Sequence, residues 1–454
     1  MNKTNDNNVT EILARFSATV KYDEIPKRII ECSKKLLLDA LACALAGHQG
    51  DETQQIRELS SALAQSKESS IIGGDRLSLA GATLFNGYLV TAVTMCDVHR
   101  PTFTHVTPEV VPPALAIAER DSLSGKELLV ALTVGFETTT RIGLGLDYPA
   151  FRARGFHGPG VIGPFGAAAA VGRLLCFDPK TMAIAFGLSG SQAAGTYAAL
   201  NTPTVKFHQC RGALSGLMAA LLAQQGFVAT RQFLTASDGG LYNSYSNGGC
   251  PETVTKNLGD YWELENIALR LWPSANVLQG LITAMFDLIE LHKVNINNIN
   301  KLILFLSKSA FERYGGFFKP KGKFDAFLSP HYIAAVLLHE RQLSLDQFKP
   351  VHYNDQKLLQ FASDKIEVKP DPTLASVQAR VEAEKTSGSV ISVQCNAPKG
   401  APENQLSLAH IEDKFRAYAN TRLSDSRGEE VIDLLSPLEE LQSVQRLMNL
   451  LRII

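Results

Sequence analysis

Apolar residues recur at three- and four-residue spacing through most of the first half of the chain, the period of a helix that buries one face. The longest such run is Ile29 to Ala46, followed by Gly47 where a helix stop belongs. The same period predicts helices over Ala82 to Val93, Pro113 to Glu119, Gly125 to Thr139, Gly163 to Leu175 and Ala213 to Gln225. Small residues crowd Ala167 to Ala170, Gly187 to Gly195 and Ala219 to Ala223. Ala and Gly let helix backbones approach closely, so a tightly packed bundle is expected. The pattern changes near Trp272-Pro273. Asn298 to Ser307 and Lys365 to Lys369 read as strands, and Val377 to Cys395 as a hairpin turning at Thr386 to Ser389. Helices are expected over Leu278 to His292 and Ser329 to His339. Leu406 to Tyr418 and Glu429 to Leu451 return to helical spacing. The expected fold class is therefore mainly α: a helical domain over 1–268 and 406–454, with a smaller α+β domain over 269–405.

Composition narrows the function classes. With 454 residues the chain is long enough for two cores. A net charge of -1 gives no reason to expect nucleic acid or an anionic membrane as partner. No apolar run is long enough for a membrane span. Met1 to Thr10 is polar and Asn-rich, and reads as a short frayed tail rather than a leader. Seven scattered cysteines, an odd number with no C-x-x-C pair, speak against a zinc site or a disulfide framework and point to a reducing compartment, the cytoplasm. Cys43 and Cys176 lie in apolar helical patterns and are expected to fill core. No glycine-rich segment has the register of a phosphate cradle after a strand.

Four places hold functional groups that packing does not obviously require. Asp97, His99 and His105 lie on a polar loop between two helices. His157 sits in Gly155-Phe-His157-Gly-Pro-Gly160, at a helix N-terminus whose free N–H groups can meet an anion. The helix dipole there favours the neutral imidazole that a general base requires. Lys206, His208 and Arg211 come just before another small-residue helix, where a cation can hold a carboxylate or an enolate. Tyr332, in Ser329-Pro-His-Tyr332, opens a helix of the second domain.

In this order, these segments resemble the MmgE/PrpD family, which includes 2-methylcitrate dehydratase, cis-aconitate decarboxylase and iminodisuccinate epimerase. Further matches are Leu36 to Gly47, Asn86-Gly87, Val111 to Glu119, Pro398 to Gly400 and Asp413 to Phe415, so the resemblance runs from about residue 10 to residue 450. It implies a large all-helical domain with an inserted α+β lid, a homodimer, no cofactor or metal, and a small carboxylate substrate. Carried over by motif, His105, His157, Lys206 and Tyr332 take catalytic positions. Asp97 matches an acidic position of the motif, and with His99, His208, Arg211 and Gln279 it is expected to bind substrate.

The shared chemistry is a carbanion made or quenched beside a carboxylate, which needs a neutral base, cations for the carboxylates and donors for the enediolate. The expected function is a cofactor-independent lyase of the dehydratase or decarboxylase type, acting on a di- or tricarboxylate. The alternatives are an epimerase exchanging an α-proton of a dicarboxylate, and a non-catalytic binding member of the family. Many members carry Cys and His where this chain has Ala275 and Gln279. Gln279 can hydrogen-bond a substrate but cannot transfer a proton.

Overall fold

A computed structural model describes residues 8–200, 202–316 and 319–453. The chain divides into two compact units, residues 1–268 with 407–454, and residues 269–406.

The first unit is helical. Its principal helices are α1 (Val9–Thr19), α2 (Lys27–Gly47), α3 (Thr53–Leu63), α4 (Leu79–Thr91), α5 (Thr107–Arg120), α6 (Gly125–Gly145), α7 (Tyr148–Ala153), α8 (Gly158–Leu174), α9 (Pro179–Gly190) and α10 (Thr204–Gln224). Short polar side chains start several of them: Ser78, Ser124, Asp147 and Asp178 each accept from the first-turn N–H groups that lack intrahelical partners. The polar start of the chain is shorter than its composition suggests, because Asn8 caps α1 by accepting from Glu11 N at 3.1 Å. Residues 1–7 of that expected tail lie outside the described residues.

The close approach read from the small residues is realised around α8, which is buried along nearly its whole length. A Cβ on Gly166 would lie 1.8 Å from Thr139 Oγ1 of α6, and one on Gly216 of α10 would lie 2.3 Å from Ala167 Cβ. Helices α6 and α10 thus approach α8 closely at positions where a glycine leaves out the side chain. The chain's last helices, Leu408–Ala419, Asp425–Leu435 and Gln445–Leu451, belong to this unit.

The second unit has one four-stranded sheet in the order Ile366–Pro370, Ile299–Leu306, Ala379–Lys385, Val390–Cys395. Its first pair is parallel and the other two are antiparallel. Alternate residues of Ala379–Lys385 are buried, so one face is covered, and Gln279–His292 and Pro330–Glu340 are its longest helices. The architecture is predominantly helical with a smaller sheet-containing region inserted among helices.

Several sequence expectations need correction. Periodicity begins α5, α8 and α10 too late, because Pro, Gly and polar residues in their first turns hide the signal. Lys206, His208 and Arg211 consequently stand on α10 rather than before it. Glu429 to Leu451 is two helices and a 3₁₀ turn, not one helix, broken at Ser436-Pro437. Cys176 is exposed just past α8 with a positive φ of 56°, whereas Cys43 is buried as expected.

Candidate active site

Asp97 organises the polar loop before α5, and that loop is largely buried. Its carboxylate accepts from Val106 N at 2.9 Å and Thr107 N at 3.0 Å, and from the Thr107 hydroxyl. These bonds fix the N-terminus of α5 and the backbone next to His105. Burial raises the Asp97 carboxyl to about 6, although the bonds from Thr107 and Val106 work in the opposite direction.

His105 Nδ1 lies 2.7 Å from the Asp97 carbonyl oxygen. A carbonyl can only accept, so Nδ1 carries a proton and Nε2 is the basic atom of the neutral ring. Cys96 Sγ, 3.5 Å from the same Nδ1, completes that side of the ring.

His157 is the N-cap residue of α8, with its backbone N–H donating to Gly195 O at 3.0 Å. Its Nδ1 is 3.1 Å from Nδ1 of His208, which extends from the second turn of α10. Tyr197 sets its ring edgewise on His157 at 4.9 Å between centroids, and the Arg152 guanidinium lies 3.6 Å over Tyr197. Burial is the largest influence holding His157 well below the ordinary histidine value, followed by His105, His208 and Arg152. Burial, then Arg211, lowers His208. Both rings are neutral near pH 7, with desolvation the largest cause for each.

Lys206, buried on the first turn of α10, donates from Nζ to Ala92 O at 2.7 Å. Glu52 Oε2 is 3.7 Å from Nζ and also accepts from the Tyr88 hydroxyl at 2.9 Å. Ala92 lies just past α4 and four residues before Cys96, so the Lys206 anchor and the His105 contact share one segment of chain.

Most polar groups of the other candidates are spent within the protein, although Gln279 Oε1 is buried without a partner among the described residues. Both ring nitrogens of His99 are engaged, with Thr102 Oγ1 at 2.8 Å and Glu263 Oε1 at 2.9 Å. Arg211 donates to the carbonyls of Gln192 and Gly160 at 2.9 Å and of Ala194 at 2.8 Å, and to Ser215 Oγ at 3.2 Å. It therefore ties the segment after α9 to the first turn of α8, beside the Gly195 carbonyl that fixes His157. In the second unit, buried Tyr332 donates its hydroxyl to Gln347 O. Gln279 is also buried and donates to Trp272 O at 3.2 Å and Ser274 O at 3.3 Å.

Glu52, Tyr88, Arg152 and Tyr197 were not singled out from sequence, since their roles depend on partners distant along the chain. Glu109 is a further omission: fully buried four residues after His105, it has no hydrogen bond to either oxygen among the described residues. Among the described residues no group of His, Cys, Asp and Glu is arranged to hold a metal ion, and no helix is long and apolar enough to cross a membrane.

In the helical unit, His105, His157 and Lys206 stand at or just before the starts of α5, α8 and α10. The chain belongs to the MmgE/PrpD family: that family's N-terminal domain matches residues 11–253 and its C-terminal domain residues 272–439. It is an enzyme of the MmgE/PrpD lyase type. Similar proteins include the cis-aconitate decarboxylase-like protein oryM of Aspergillus oryzae, 29% identical over 99% of this chain and 98% of its own length. Cis-aconitate decarboxylases of Aspergillus terreus (28% identical, 98% of this chain, 96% of that protein) and Homo sapiens (26%, 98% and 94%) are similar along their length too.

Proposed function

We propose that the protein is a decarboxylase of a small tricarboxylate of the cis-aconitate type. One observation carries the choice among lyases: the cis-aconitate decarboxylases it resembles align with it nearly end to end. The geometry of the helical unit supports the chemistry. Breaking the bond to a departing carboxylate leaves an electron pair on carbon beside another carboxylate. The Lys206 ammonium would offset that charge, and an imidazolium Nε2–H, on His105 or His157, would protonate the carbon. Asp97 holds the His105 loop, His99 braces it through Glu263, and Arg211 and His208 fix the backbone and ring of His157. Tyr332, by the family motif, and Gln279, by its hydrogen-bonding amide, are proposed as further substrate-binding groups.

The same reading makes the enzyme a cytoplasmic homodimer that needs no cofactor. Seven cysteines free of disulfides support the reducing compartment.

The test is to incubate the purified protein with di- and tricarboxylates in deuterium oxide and follow them by NMR. The expected result is loss of carbon dioxide from a cis-aconitate-like substrate with one deuterium entering each product. His105→Gln and Lys206→Met should each lower kcat about 100-fold or more. Deuterium exchange with no carbon dioxide or water lost would make it an epimerase instead, and loss of water alone a dehydratase.

A further inference from the structure

Decarboxylation consumes a proton: a carboxylate and a proton become carbon dioxide and a new C–H bond. Without substrate both imidazoles of the His157–His208 pair are neutral near pH 7. The groups that act on the two rings are His105 from the loop before α5, Arg152 from α7 behind Tyr197, and Arg211 from α10. None of these groups is an acid, so none of them favours an imidazolium there. A polycarboxylate would supply the missing negative charge.

The separation of 3.1 Å between the two Nδ1 atoms requires one proton on the line between them. His208 is held in this register from behind by Gly195, whose φ is 125°. A Cβ on Gly195 would lie 3.0 Å from Cγ and Nδ1 of the His208 ring. Neither Nε2 of the pair has a hydrogen-bond partner among the described residues. The bare Nε2, on the ring that donates through Nδ1–H, can therefore gain a proton without breaking a bond inside the protein.

We propose that His157 and His208 store the proton that the reaction consumes: arrival of the carboxylate substrate draws one proton onto the pair, and His208 shares its charge through the Nδ1–Nδ1 bond. The empty pair carries two ring protons, one of them between the Nδ1 atoms, and the loaded pair carries three. When the C–C bond breaks and carbon dioxide leaves, the electron pair on carbon takes the Nε2 proton of His157. The pair then returns to two protons. A charged donor roughly doubles the strength of a hydrogen bond, so His157 Nδ1–H to His208 Nδ1 strengthens when the pair is loaded. His208 touches no reacting atom and is a positioning residue. The inference rests on the decarboxylase reading above.

Calorimetric titration with tricarballylate, an unreactive tricarboxylate, in buffers of different ionisation enthalpy counts the protons taken up. Wild type is expected to take up about one proton per site near pH 7.5. His208→Phe should bind with uptake near zero and a kcat at least ten-fold lower, with KM changed less than three-fold. His208→Gln, whose side-chain oxygen can accept from His157 Nδ1–H, should recover most of both. Unchanged uptake in His208→Phe, or none in wild type, overturns the proposal. Nitrogen-15 NMR of the histidine rings in the ligand-free protein tests the pair without any substrate. It should find the two rings in opposite tautomers joined by one proton, and two independent rings would overturn the proposal. If this pairing and the proton uptake are both observed but no tricarboxylate loses carbon dioxide, the decarboxylase reading fails and the proton-storing pair stands.

Discussion

Lys414 Nζ lies 2.6 Å from Asp39 Oδ1, a buried ion pair that joins two segments 375 residues apart in sequence. The same ammonium donates to Met95 O at 3.2 Å, two residues before Asp97. The chain's last segment thereby steadies the strand of chain that leads into the candidate site. Removing one partner leaves a buried charge uncompensated. Lys414→Met is expected to cost about 3–5 kcal/mol, and Asp39→Leu with Lys414→Met to recover much of it. Urea denaturation of the three proteins measures this. A single variant within 1 kcal/mol of wild type would show that the pair contributes little.

Gly166→Ala tests the glycine contact between α6 and α8. On helix propensity alone the change should stabilise by about 1 kcal/mol. The new methyl would overlap Thr139 Oγ1 and approach the backbone oxygen of Gly135 to 2.6 Å. The clash should win by about 2 kcal/mol or more, read as a lower thermal midpoint. A raised midpoint would refute the close approach.

Asp97 predicts an unusual pH dependence. Its folded value of about 6 lies above the ordinary 3.8, so its contribution to stability is complete below the ordinary value and is lost as pH rises through 6. Asn at this position does not titrate. The stability of wild type relative to Asp97→Asn should therefore fall by about 2 kcal/mol between pH 4.5 and pH 7.5. Denaturation of both proteins at the two pH values checks it, and an opposite change would mean that the hydrogen bonds outweigh burial.

Glu52 stands between Lys206 and an incoming anion in the electrostatic sense. Lys206 keeps its anchor on Ala92 O without it, and Tyr88 can still donate to an amide. Glu52→Gln should then leave the ammonium in place with more of its charge available, lowering KM for a tricarboxylate about three- to ten-fold. A raised KM would mean that Glu52 positions Lys206 rather than competing for it.

Sequence by itself determined the helical period of the first unit, the strands of the second and the family. It also supplied His105, His157 and Lys206 as the residues worth examining. Each of these is a local signal, either a repeat set by 3.6 residues per turn or a motif within a few positions. Tertiary structure decided which polar atoms remain available. His99 and Arg211 look as reactive as His157 in sequence, but Glu263, Thr102 and four backbone or hydroxyl oxygens occupy them. The His157–His208 bond, the Lys206 anchor and the burial that keeps the imidazoles neutral were equally out of reach. Those depend on which elements pack together, and the electrostatic work of removing a charge from water has no signature along a chain.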